Sequence, residues 1–155
     1  IMKKFLSIII AIAICFGVGF TAQYFQSDAL TSWYPFLEKS SITPPNDVFP
    51  IAWGIIYLCM GISIGLIWYK PTYVRFIPLW LFIGQLFLNF MWSILFFAMQ
   101  SPILGFFDIL LLDILVLLYT IHVYSVNRLS AWLFIPYIIW LVLATYLNVY
   151  IIIAN

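Results

Sequence analysis

The chain has 155 residues, of which 66% are hydrophobic and only 7% charged, with a formal net charge of +1. A soluble domain of that composition could not keep its surface solvated, and a charge so close to zero offers no electrostatic footprint for nucleic acid. What remains is an integral membrane protein, expected as a single transmembrane domain over residues 1–155, whose ligands are apolar rather than polyanionic.

Five apolar segments follow one another: Phe5 to Phe25, Val48 to Tyr69, Phe76 to Met99, Ile103 to Tyr124 and Ala131 to Ile153. Each is near the roughly 20 residues that a helix needs to cross the hydrocarbon. The runs are near-continuous, without the alternation of apolar and polar positions that a barrel strand would show. The expected fold is therefore an all-α membrane protein, a bundle of five transmembrane helices. The first segment follows Lys3 and Lys4 and is expected to be a retained helix rather than a cleaved leader. Cleavage after Ala22 would place Phe20 where a small residue is required.

Threaded in this way, five of the six basic residues fall on one side: Lys3, Lys4, Lys70, Arg75 and Arg128. The other side keeps Lys39 among Asp28, Glu38 and Asp47. Lys and Arg in short loops are retained in the cytoplasm, so the N-terminus is expected inside and the C-terminus outside. Three connections are short and make neighbouring helices antiparallel. The exception, residues 26–47, carries Trp33, Tyr34, Phe36 and the pair Pro44-Pro45, which suit a packed lid. Pro102 fits the first turn of the fourth helix, and Pro50, Pro78 and Pro136 are expected within the first turns of theirs. No internal repeat is present, unlike many secondary transporters.

Polar residues deep in apolar spans need an explanation. Gln85, Asn89 and Ser93 recur at i, i+4 and i+8 and form one stripe of hydrogen-bonding groups. Trp92 and Phe96 flank it, Trp53 and Tyr57 lie one turn apart on the second span, and Tyr137, Trp140, Ala144 and Leu147 share a face of the fifth. Two readings stand: a small-molecule pocket with aromatic walls, or amides that join helices and aromatics that sit at the headgroup belt. Asp108 and Asp113 are five positions apart, about 140° around the helix, so they form no carboxylate dyad. Asp113 is deep enough to require a proton, a partner or a wet cavity. His122, the only histidine, lies near an interface, where a surface role outweighs axial ligation of a haem. Cys15 and Cys59 read as small buried apolar residues. Gly61 and Gly65, and Ala11, Cys15 and Gly19, are small-residue faces for close helix packing. No metal-ligand cluster, phosphate loop or Ser/His/Asp arrangement is present, so catalysis by a standard constellation is not supported.

The order of certain residues does resemble a known family. Trp33-Tyr34-x-x-Leu37-x-Lys39, Pro44-Pro45, and Phe49-Pro50-x-x-Trp53-x-x-x-Tyr57 are followed by Leu88-Asn89-x-x-Trp92-Ser93-x-x-Phe96-Phe97. Asp108 comes next, and then Pro136-Tyr137-x-x-Trp140-x-x-x-Ala144-x-x-Leu147-Asn148. This resembles the translocator protein family, also called tryptophan-rich sensory proteins or peripheral-type benzodiazepine receptors, over nearly the whole chain. The resemblance implies a five-helix bundle, often a homodimer, with a pocket under the loop joining the first two helices. It implies a bacterial member in the cell membrane, with membrane lipid and hydrophobic small molecules of the porphyrin, sterol, isoquinoline or benzodiazepine kind as partners, no cofactor required and no metal. Carried over residue by residue, the ligand-binding set is Tyr34, Pro44, Trp53, Tyr57, Asn89, Trp92, Ser93, Trp140, Ala144 and Leu147.

Two departures from the family pattern stand out. Ser40 occupies a position where the family commonly has proline, which implies a looser lid. The sterol-recognition pattern needs a basic residue beyond a tyrosine at the end of the last span, where this chain has Tyr150 to Asn155 without one. Leu118, Tyr124 and Arg128 satisfy that loose pattern on the opposite side. The expected function is a membrane receptor or carrier for a tetrapyrrole, with Lys39 facing the propionates. The alternatives are light-dependent porphyrin breakdown, with Trp53 and Trp140 as the catalytic candidates, and proton-coupled transport through Asp108 and Asp113.

Overall fold

The structure is a computed structural model that describes residues 2–155. Its described residues contain helices and turns and no strands, and five of the helical stretches are long and apolar enough to cross a membrane. Helix α1 spans Met2–Ser32, α2 Val48–Trp68, α3 Thr72–Trp92, α4 Pro102–Tyr124, α5 Arg128–Trp132 and α6 Ile135–Ala154. A three-residue 3-10 turn, Tyr34–Phe36, lies between α1 and α2. Continuous with α3, a π-helical turn covers Ser93–Ala98.

Several boundaries differ from the sequence expectation, each for a local reason. With 31 residues, α1 is about 46 Å long and outruns a hydrocarbon layer of about 30 Å. Gln26 to Ser32, expected as loop because they are mostly polar, are its last two turns. The hydroxyls of Ser27, Thr31 and Ser32 donate back to the carbonyls of Tyr24 and Asp28, while Ala29 is buried. The lid proper is therefore Trp33–Asp47. Because α3 starts at Thr72, Pro78 lies in its second turn and not its first. There the missing N–H leaves the Val74 carbonyl without its usual helical donor. Pro102 and Pro136 do sit at the first positions of their helices, and Ser101 Oγ caps α4 by accepting from Leu104 N at 3.2 Å. Between α3 and α4 the chain reverses at Gln100, a non-glycine residue with φ of 50°.

Around the bundle α1 lies between α2 and the π-helical end of α3, α3 packs on α4, and α4 packs on α6. The α1–α2 pair is the tightest. A Cβ built on Gly61 would stand 2.6 Å from Ile12 Cα, and one on Gly65 would stand 2.5 Å from Ile8 Cα. The glycine pair is used within the chain, letting two backbones touch where any side chain would force them apart. Ser7 Oγ adds a hydrogen bond to Gly65 O at 2.8 Å.

The α2–α6 pair is built in the opposite way. At its α5 end it is clamped by a reciprocal pair: Ser63 Oγ donates to Ser130 O at 2.7 Å and Ser130 Oγ to Ser63 O at 2.8 Å. Beyond the clamp α2 and α6 approach each other over a short stretch only. Large rings span the remaining gap. Of the two cysteines Cys15 is buried, as expected, whereas Cys59 is partly exposed on the outer face of α2.

These contacts predict contrasting glycine substitutions. Gly65→Ala should destabilise the bundle by about 1–3 kcal/mol in detergent thermal unfolding, the usual penalty of overpacking. Gly17→Ala, whose new Cβ would meet nothing within 4 Å, should be neutral or slightly stabilising, since alanine is the better helix former.

Candidate ligand-binding site

The gap between α2 and α6 is a chamber filled by its own aromatic rings. Trp53 stacks on Tyr57 with ring centroids 5.5 Å apart, one helical turn along α2. Edges of two rings from α6 meet it, Trp140 at 6.3 Å and Tyr137 at 6.3 Å, and Phe49 closes on Trp140 at 5.5 Å. Gly19 on α1 makes room for this wall, because a Cβ there would lie 2.6 Å from the Tyr57 ring. Ala144, one turn beyond Trp140, is partly buried against the same core.

A chain of hydrogen bonds forms the floor. Tyr57 Oη donates to Asn89 Oδ1 at 2.9 Å, Asn89 Nδ2 donates to Tyr137 Oη at 2.7 Å, and Tyr137 Oη donates to Gln85 Oε1 at 2.9 Å. Three helices contribute, and all four residues are buried. The chain has a direction, and its far end, Gln85 Nε2, is a buried donor without an acceptor among the described residues. Such a group retains its full desolvation cost and can donate to a water or a ligand oxygen without losing an existing bond.

Trp92 and Ser93 belong to a second cluster, under the lid. Trp92 stacks on Phe96 at 4.6 Å and its Nε1 donates to Asn148 Oδ1 at 3.0 Å. The π-helical turn starts at Ser93, and there the stripe read from the sequence divides: Gln85 and Asn89 join the floor, whereas Ser93 Oγ donates to Gln26 Oε1 on α1 at 3.1 Å. The wider turn also presents Phe96 and Phe97 to the lid, where Tyr34 packs at 6.4 and 5.5 Å and Trp33 meets Phe96 at 5.6 Å. Burial pushes the Tyr34 phenol above its ordinary range, so it stays a neutral ring near pH 7.

The lid is fastened rather than loose. Ser40 is buried and its Oγ lies 3.1 Å from Tyr146 Oη on α6. The Asn155 side chain pairs with the backbone of Glu38, accepting from Glu38 N at 2.9 Å and donating to Glu38 O at 3.0 Å. Serine in place of the family's proline thus supplies a tether where a looser loop was expected. Lys39, expected to face ligand propionates, instead donates to the carbonyls of Tyr34 and Leu37, both at 3.0 Å, with its Nζ 4.8 Å from the Tyr34 ring centroid. It staples the 3-10 turn to itself.

Residues 11–154 match the family model described as the TspO/MBR family. The chain is 36% identical over 143 residues to "Tryptophan-rich protein TspO" of Archaeoglobus fulgidus, covering 92% of this chain and 93% of that one. It is 35% identical over 149 residues to the protein of the same name in Chlorobaculum tepidum, covering 94% of each. To "Translocator protein" of Homo sapiens it is 36% identical over 119 residues, 75% of this chain and 70% of that one.

The chain belongs to the TspO/MBR family. It is an integral membrane protein of the receptor or transporter type.

Within this TspO/MBR bundle, Trp53, Tyr57, Asn89, Trp140 and Ala144 surround the chamber, while Tyr34, Trp92 and Ser93 sit in the lid cluster. Pro44 is half-buried in the returning limb of the lid, and Leu147 is buried on α6. Tyr137, Phe49 and Gln85 were absent from the ligand-binding set carried over from the family, yet they complete the chamber. Tyr137 and Gln85 carried a sequence signal, the first through its shared face with Trp140 and the second through its stripe with Asn89. Asp113 and Asp108 join neither cluster. Asp113 Oδ2 accepts from Thr145 Oγ1 at 2.8 Å, and its Oδ1 and Asp108 Oδ2 are buried without partners among the described residues. His122 lies in the last turn of α4, at the end of the bundle away from the lid.

The floor predicts a stability effect that needs no ligand. Asn89→Ala should cost about 1–3 kcal/mol by leaving the Tyr57 hydroxyl without its acceptor. Combined with Tyr57→Phe it should be non-additive by about 0.5–3 kcal/mol, since both substitutions remove one shared bond. Thermal unfolding of the two single variants and the double variant checks both figures.

Proposed function

We propose that the chain binds a flat, largely apolar ligand of the tetrapyrrole class between α2 and α6. One observation carries this reading: these helices meet chiefly through edge-on aromatic rings over a hydrogen-bonding floor. Rings are displaced by rotation about two side-chain torsions, and a planar ligand that takes their place replaces the aromatic contacts that they make with one another by its own. Gln85 Nε2 and the Asn89 amide are available below for a polar group on the ligand's edge. With Lys39 committed to the lid, the propionates of a porphyrin would be oriented by the lid's peptide groups rather than by that lysine. The charge asymmetry supports placing the lid outside the cytoplasm.

Absorbance titration with protoporphyrin tests the proposal. Trp140→Ala should weaken binding about tenfold or more, because an aromatic pair is worth about 0.5–1.5 kcal/mol beyond its buried area. Trp80→Phe, on a residue that is 60% exposed on the bundle's outer face, should bind as the unaltered protein does. Equal affinity of the two variants would place the ligand elsewhere.

The contact between Trp53 and Trp140 supports a second reading, light-dependent breakdown of the bound porphyrin. Trp53→Phe and Trp140→Phe should then retain binding and lose illuminated product, with no product from any variant in the dark. Ordinary quenching without a new chromophore would remove this reading and leave the first intact.

The tethers at Ser40 and Asn155 make the lid the gate of such a site. Ser40→Ala and Asn155→Ala each delete hydrogen bonds worth about 0.5–1.5 kcal/mol, so ligand should dissociate about two- to tenfold faster. Unchanged dissociation in both would mean that ligand enters between the helices and not past the lid.

A further inference from the structure

We propose that the groove at the basic end of the bundle, opposite the lid, binds an anionic phospholipid. The groove has a volume of about 340 Å³ and opens between the start of α1, the end of α2 and the start of α3. Its lining changes character along α1. Lys3 lies nearest the helix end, followed by Leu6, Ser7 and Ile10, with Trp68, Tyr69 and Arg75 on the opposite wall; the Ser7 hydroxyl is already committed to the Gly65 carbonyl. Lys3, Leu6 and Ile10 share one helix face, and from Lys3 to Ile10 the wall runs about 10 Å along α1. Basic side chains thus lie at the helix ends, with the exposed apolar side chains of Leu6 and Ile10 further along α1, in the order in which a phosphate and the start of an acyl chain follow one another.

Charge complementarity selects the occupant. Lys3 lies in the first turn of α1, where the helix already presents its positive end, so the lysine and the helix dipole oppose each other and an anion relieves both. The sequence offers no relief of its own. The five acidic residues are Asp28, Glu38, Asp47, Asp108 and Asp113, and none lies in residues 1–10, 66–78 or 120–132, which make up this end. Arg75 is already aimed: its Nη1 donates to Trp68 O at 2.6 Å, which fixes the guanidinium and leaves its other N–H groups for a further acceptor. Basic pockets between helix ends at headgroup level take acidic lipid headgroups. Leu6, Ile10 and the faces of Trp68 and Tyr69 would gain nothing from a soluble anion, whereas an acyl chain covers them. The occupant is therefore a lipid of the surrounding leaflet.

The test uses the full chain in vesicles containing phosphatidylglycerol or phosphatidylcholine with brominated acyl chains, which quench nearby tryptophan. The contribution of Trp68 is the difference between the unaltered protein and Trp68→Phe. Phosphatidylglycerol should quench Trp68 at a mole fraction at least about fivefold lower than phosphatidylcholine does. Lys3→Gln and Arg75→Gln should each reduce that preference about fivefold, as expected for one cation near a membrane surface. Lys3 is exposed, so its replacement leaves the packing untouched even if Arg75→Gln unfolds the loop it braces. Arg128→Gln, on the same end but outside the groove, should keep the full preference. Equal quenching by the two lipids, or a preference undiminished by Lys3→Gln, would overturn the assignment. Displacement of the brominated lipid by millimolar inorganic phosphate would overturn the lipid as occupant and make the groove a site for a soluble anion.

Discussion

The hydrogen bonds of Asn89 constrain more of this bundle than any apolar contact. Hydrocarbon offers no partner to a carboxamide, so Asn89 has to find donor and acceptor within the protein. It finds Tyr57 on α2 and Tyr137 on α6. Those two bonds set the depth and rotation of three helices at once. Once Tyr57 and Tyr137 face Asn89, Trp53 and Trp140, each one turn or less away on the same helices, face the gap between α2 and α6.

That constraint divides the bundle into a rigid side and an adaptable one. On the rigid side, Gly61 and Gly65 bring α1 against α2 until backbone meets backbone, a contact that cannot be opened gradually. On the adaptable side α2 is clamped through Ser63 and Ser130 to α5, the short helix that leads into α6, and meets α6 itself through rings. Side chains change rotamer on a time scale far shorter than helices move. A chamber of this kind can accept a planar guest through ring rotation alone while the helix framework stays in place. The proposed function rests on this difference between the two interfaces.

The two ends of the molecule are organised by different chemistry. At the lid end, polar groups turn inward: Lys39 bonds the 3-10 turn, Asn155 pairs with Glu38, and Ser40 reaches Tyr146. At the other end the basic residues have no acidic neighbours in the sequence around them. The first arrangement closes a surface over the bundle, whereas the second leaves positive charge for whatever lies outside it.

Composition and the lengths of the apolar runs determined that this chain is a five-helix membrane protein, because a span is a local property: about 20 apolar residues without breaks satisfy the bilayer whatever surrounds them. Helical spacing was also enough to mark Asn89 beside Gln85, and Trp140 beside Tyr137, as residues sharing a face. Partners were not legible, since a hydrogen bond between residues 32 or 48 positions apart leaves no periodic trace along the chain. The π-helical turn at Ser93 was equally hidden. It takes Phe96 and Phe97 out of the register that a regular helix would give them and turns them to the lid, where Trp92, the last residue before the turn, stacks on Phe96. Ser40 and Lys39 show the same limit in the lid. Serine at the family's proline position implied a looser loop and Lys39 was expected to face propionates, and only the approach of Tyr146 and of the lid's own carbonyls made one a tether and the other a staple, because what a polar side chain does is decided by which groups the tertiary fold brings within about 3 Å of it.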